Sequence, residues 1–145
     1  DLRDAARLAS LAEQRRALME KARAWGLRER AASLDSAFFG DRCAVLLARG
    51  FENVAMAAFG PWQEYQRERG RRMFGITSVQ VTESWRGRGL GKLVMMLTIE
   101  AARRAGAEAL HLHVWESNKA AWRLYHQSLG FRPTFTWATL AKDLG

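Results

Sequence analysis

The chain has 145 residues, 48% of them hydrophobic, and carries 23 Lys and Arg against 15 Asp and Glu, a net charge of +8 at pH 7. That length makes one domain with a full core. No apolar run approaches the roughly 20 residues of a membrane span and no signal peptide opens the sequence, so a soluble, cytoplasmic protein is expected.

The lone cysteine, Cys43, excludes an internal disulfide, and no His or Cys cluster has zinc-ligand spacing, so no metal is expected. The positive charge raises the local concentration of acidic ligands, nucleic acid and phosphate esters among them. The arginines are dispersed, however: Arg15 and Arg16, Arg67 to Arg72, and Arg103 and Arg104 fall in different elements. No aromatic residues interleave with them as a base-stacking platform requires, which makes nucleic-acid binding a minority reading.

From Leu2 to Ala24 the apolar residues Leu8, Leu11, Ala12, Leu18 and Ala22 recur with a helical period, with Asp4 as N-cap and Trp25-Gly26 as the end. Leu27 to Phe39 reads as a second helix burying Leu27, Ala31, Leu34 and Phe38, stopped by Gly40. Cys43 to Ala48 and Val54 to Phe59 read as an antiparallel hairpin turning at Arg49-Gly50 and closed by Gly60-Pro61, with Cys43 a small buried hydrophobe. Gln63 to Arg72 lacks an apolar face and reads as a surface loop or short exposed helix.

Met73 to Thr82 reads as the central strand, Val79 and Val81 on one face and Ser78, Gln80 and Thr82 on the other. Past a glycine-rich turn, Leu90, Leu93, Val94, Leu97, Ala101 and Ala105 form the apolar stripe of a helix that stops at Gly106. A strand followed by a helix must cross to a neighbouring strand, and Leu110 to Val114 is that strand, parallel to the central one. Ser117 or Asn118 caps a further helix packing Ala121, Leu124 and Tyr125 inward and ending at Gly130. Phe131 to Thr136 and Trp137 to Leu144 read as one broken or two consecutive strands.

The turn itself, Trp85-Arg86-Gly87-Arg88-Gly89-Leu90-Gly91-Lys92, is the most informative stretch. Glycines between a strand and a helix let consecutive backbone N–H groups converge on one anion, at the positive end of the helix dipole. Arg86, Arg88 and Lys92 add mobile charge. The nucleotide-triphosphatase loop is excluded, because no Gly-Lys-Ser/Thr follows at the required spacing. The dinucleotide fingerprint fails as well, since Lys92 stands where its third glycine belongs. What the turn matches is Arg-x-x-Gly-x-Gly, at Arg86, Gly89 and Gly91.

In this setting the match resembles the pyrophosphate-binding motif of the GNAT superfamily of acetyl-CoA-dependent N-acetyltransferases. Leu110 to Val114 resembles the family's fifth strand. Asn118, Ala121, Leu124, Tyr125, Gly130 and Phe131 fit its N-x-x-A-x-x-L-Y-x-x-x-G-F pattern with one extra residue before the glycine. The resemblance implies an α/β (mixed α+β) fold: a mixed, mostly antiparallel sheet with a splayed parallel strand pair, flanked by about four helices. The family's first strand is missing ahead of the first helix, which implies either a trimmed N-terminus or a domain without that strand.

The same resemblance implies site roles. Backbone groups of Val79, Gln80 and Val81 pair with the pantetheine arm, and an amide there polarises the thioester carbonyl. Arg86, Gly87, Arg88, Gly89, Leu90, Gly91 and Lys92 hold the pyrophosphate. Asn118 contacts the cofactor arm or a bound water, or simply caps its helix. Tyr125 is the general acid that protonates the departing thiolate, its alternative being a core residue. The base is open. Family members often carry a glutamate on the central strand, where this chain has Phe74, Gly75 and Thr77; Glu116, His111, His113 and Glu83 remain as candidates, with water as another.

The acceptor pocket implied by the family includes Trp25, Phe38, Phe39, Trp62 and Trp137, which are otherwise core residues. The expected partners are acetyl-CoA and an amine on a small molecule or peptide, with no membrane and a homodimer left open. A module that binds acyl-CoA without catalysis is the alternative.

Overall fold

A computed structural model describes residues 5–36, 40–61, 72–114 and 117–131. They fall into two compact units, Asp1–His111 and Leu112–Gly145. Along the chain, helix α1 (Ala5–Ala24) precedes strands β1 (Arg28–Ser36), β2 (Gly40–Arg49), β3 (Glu52–Pro61) and β4 (Met73–Val81), then helix α2 (Leu90–Arg104) and strand β5 (Ala109–Leu112). The sheet runs β1-β2-β3-β4-β5 in space. Its first three pairings are antiparallel, and β4 and β5 form the parallel pair. Where about four helices were expected, three are described.

Helix α1 ends where Gly26 takes a φ of 83 and the Leu27 N–H returns to the Ala22 carbonyl at 3.0 Å, a glycine C-terminal cap. Its buried line is Leu11, Met19 and Ala22, while Ala12 is exposed. The second helix expected over Leu27 to Phe39 is instead strand β1, paired residue by residue with β2 from Arg28↔Ala48 to Ser36↔Gly40. Leu27, Ala31 and Leu34 mimic a helical period, but pairing to β2 decides the conformation. As the outermost of the described strands, β1 carries exposed Arg28, Glu29 and Arg30, charges that suit an edge. Residues 37–39 lie outside the described residues.

The hairpin β2–β3 has the expected pairing, with Arg49↔Glu52 flanking a two-residue turn. Gly50 supplies the positive φ (61) that the first turn position needs. Pro61 is the last residue of β3, still opposite Phe74, a strand end where its missing N–H costs no interior bond. Cys43 lies in β2 as read but is exposed, so it is not the buried hydrophobe expected.

Helix α2 is the centre of the core. It packs on β2, β3 and β4, with α1 against it. Leu93, Val94, Met95, Leu97 and Ala102 are fully enclosed, and each large apolar side chain among them contributes about 1.5–3 kcal/mol by leaving water. The buried Thr98 hydroxyl donates to the Val94 carbonyl at 2.7 Å, so the one polar group on that face is satisfied. Gly106, with φ 100, ends the helix as expected. Ala105, counted in the apolar stripe, is exposed at the cap.

In the second unit, helix α3 (Lys119–Trp122) continues into a π-helical turn, Arg123–Ser128. Gly130 (φ 80) closes it, and the Phe131 N–H bonds the Tyr125 carbonyl at 2.8 Å. The strands expected beyond Phe131 and the loop over residues 63–71 lie outside the described residues.

Candidate functional site

Among the described residues, strand β4 leaves the sheet partly open. Its nine residues have β3 on one side and the four-residue β5 on the other. Strand β5 starts beside Arg72, whose carbonyl accepts from the Glu108 and Ala109 N–H groups at 2.8 and 3.3 Å, and leaves the ladder after Leu112. A partner of that length reaches only the first half of β4, so Ser78 to Val81 run on past its end.

Within that open half the backbone directions alternate. The Thr82 N–H bonds Val54 of β3 at 2.8 Å, and the Arg86 Nε donates to the Val81 carbonyl at 3.2 Å. A residue's N–H and C=O share one side of an antiparallel strand. Val79 and Val81 therefore turn their backbone groups away from β3, and Gln80 turns its own toward Met56. The structure thus separates three residues that the sequence groups together. Just upstream, Ile76 and Ser78 pair with the adjacent residues Phe59 and Ala58, leaving Thr77 as an extra residue in a β-bulge. Bulges re-aim a strand and recur beside active sites; alternation alone gives no sign of this one.

The chain leaves β4 through a single 3₁₀ turn, Glu83–Trp85, in which Trp85 is buried and Glu83 exposed. Gly87 and Gly89 then take φ of 80 and 79. Gly89 is the N-cap of α2 and has no side chain to satisfy the helix start. The first intrahelical bond runs from the Leu93 N–H to the Gly89 carbonyl at 3.0 Å. The N–H groups of Leu90, Gly91 and Lys92 thus have no intrahelical acceptor. Leu90 is buried, Gly91 and Lys92 are half-buried, and Arg86 to Gly89 are exposed.

The two positive-φ glycines differ. A Cβ on Gly87 would meet nothing within 4 Å, whereas one on Gly89 would stand 3.0 Å from Cδ2 of Leu18 on α1. Gly87 faces open space. At Gly89 the glycine is required by its backbone angle and by packing on α1. The amides of Leu90, Gly91 and Lys92, with the Arg86 and Lys92 side chains borne by the same turn, fit a diphosphate ester.

Arg88 is placed differently. Its guanidinium lies over the Trp25 ring at 5.3 Å and over the Trp85 ring at 4.7 Å from the centroids. Arg49 of β2 covers Trp85 as well, at 5.0 Å, and pairs with Glu52 at 3.5 Å. Trp25 is part of this stack.

In the second unit Asn118 Oδ1 accepts from the Ala121 N–H at 3.2 Å, the cap read from the sequence. Tyr125 is half-buried in the π-helical turn, edge-on to Phe131 at 6.2 Å. Burial holds its phenol above the ordinary value of 10.0, so it keeps its proton at neutral pH. The π turn takes up the extra residue between the Leu124-Tyr125 pair and Gly130. His111 is buried in β5, while His113 lies past its end, exposed, with burial of its ring nudging its pKa below 6.5. Glu116 lies outside the described residues.

The family model described as Acetyltransferase (GNAT) family matches residues 15–131. The uncharacterized N-acetyltransferase YdgE of Bacillus subtilis is 42% identical over 59 residues, 41% of this chain and 37% of that protein. An L-methionine sulfoximine/L-methionine sulfone acetyltransferase of Salmonella typhimurium is 36% identical over 78 residues, 54% of this chain and 43% of that protein. The chain thus spans less than half the length of either relative. A solved transcriptional regulator from Bacillus halodurans C-125 shares the fold with a TM-score of 0.55 at 28% identity, covering 65% of this chain and 61% of that one. The matched span contains the open half of β4, the glycine turn and α2 together, and the chain belongs to the acetyltransferase (GNAT) family.

Proposed function

We propose that this chain binds acetyl-CoA and passes the acetyl group to a primary amine of a small molecule or peptide by direct attack on the thioester. The observation that carries the reading is the helix start at Gly89, where the free amides opening α2 follow a strand whose second edge is partly unpaired among the described residues. The amides of Leu90, Gly91 and Lys92, with the Arg86 and Lys92 side chains, receive the pyrophosphate. Val79 and Val81 offer outward backbone groups to the arm, and an N–H among them stabilises charge on the carbonyl oxygen, a donor role typically worth about 2.7–4 kcal/mol.

As the C–N bond forms and the C–S bond breaks, Tyr125 gives its proton to the departing thiolate. Its raised pKa supports that role because the phenol arrives protonated. Asn118 caps the helix that carries it and, through its amide nitrogen, contacts the arm. The amine's proton goes to water or to Glu116. That the family match runs through both compact units supports reading residues 1–145 as one acetyltransferase domain.

Titration with acetyl-CoA followed by thiol release tests the reading. Amino acids head the acceptor panel, because the Salmonella relative acts on methionine sulfoximine and methionine sulfone; aminoglycosides and peptide N-termini follow. A second reading, binding without transfer, is favoured by the absence of any carboxylate on β4 (Met73–Val81). Binding heat with no thiol release across the panel selects it.

A further inference from the structure

We infer that Arg88 is a positioning residue, clamped between aromatic rings so that it fixes the glycine loop, and is not a phosphate ligand. The inference rests on reading that loop as a coenzyme A site. Four segments meet in the stack: Trp25 at the end of α1, Arg49 at the end of β2, Trp85 in the 3₁₀ turn and Arg88 within the loop.

Arg88 stands between Gly87 and Gly89, both with φ near +80, so whatever holds its side chain holds the backbone angles on both sides. A guanidinium held over two rings would give up both contacts in an extended reach toward a ligand. Arg86 is likewise held, by its bond to Val81, but through Nε alone, which leaves its terminal nitrogens for an anion. The neighbouring arginines therefore divide the work: Arg86 faces the ligand and Arg88 the protein.

Coenzyme A affinity by calorimetry, with Trp25→Leu, Arg88→Gln, Arg88→Lys and the double variant Trp25→Leu/Arg88→Gln, tests this. Each Arg88 variant is expected to weaken binding about tenfold, within the range of two cation–π contacts, and Trp25→Leu, which removes one of the two, by about threefold. The double variant should be no worse than Arg88→Gln, because losing the guanidinium already removes its contact with Trp25. Lysine should not rescue, since it keeps the charge and loses the plane. Amide exchange across residues 86–91 should quicken in unliganded Trp25→Leu while its melting temperature stays near the parent's.

If Arg88→Lys binds like the parent and Trp25→Leu loses nothing, Arg88 touches phosphate and the inference is overturned. If even the parent binds no coenzyme A, the functional reading fails, and the exchange measurement still decides: unchanged exchange in Trp25→Leu overturns the clamp, and faster exchange supports it.

Discussion

Tyr125 concentrates the chemistry in one hydroxyl, and Tyr125→Phe removes that hydroxyl while keeping the ring against Phe131. If it donates the proton to the thiolate, turnover at saturating acetyl-CoA falls by about 10²- to 10⁴-fold with little change in affinity. Turnover within a factor of two of the parent, confirmed in a single-turnover rapid quench, would assign the tyrosine to packing. The pH dependence follows from the direction of the shift. A phenol held neutral by burial contributes stability that is whole below pH 10.0 and lost as the pH rises through its raised value. The alkaline limb of turnover should accordingly lie above pH 10.0 and vanish in the Phe variant.

At the scale of elements, the glycine turn makes two separable predictions. Gly87→Ala meets open space and bears only the cost of positive φ, about 1–2 kcal/mol. Gly89→Ala bears that cost and also presses on Leu18, so it should lose more stability in urea unfolding. Equal losses would contradict the packing of Gly89 on α1.

The elements most legible in the sequence were those with a strong period and glycine punctuation. Strand β4, helix α2 with its stop at Gly106, and the hairpin about Gly50 are of this kind. Strand β1 was hidden because Leu27, Ala31 and Leu34 fit a helical spacing while an edge strand needs few apolar residues of its own. The site was legible at its glycines and at the Asn118 cap. The Thr77 bulge and the stack on Trp85 were not, since register and long-range side-chain pairing leave no local pattern. The extra residue before Gly130 is an intermediate case: the sequence showed the insertion, and the π turn shows how the backbone absorbs it.

Across the whole molecule the net charge of +8 favours an anionic ligand without choosing one. Arg15 of α1 binds Glu100 of α2 at 2.7 Å and approaches Glu29 of β1 at 4.0 Å, tying helix, helix and edge strand together. Because these groups are partly exposed, Arg15→Ala should cost only about 1 kcal/mol or less in urea unfolding. The most direct measurement of the central proposal is calorimetric titration of the parent chain with acetyl-CoA at two salt concentrations. A single saturable site that weakens as salt is raised is predicted, because Arg86 and Lys92 attract phosphates through a screened field. No binding heat up to about millimolar acetyl-CoA would contradict it.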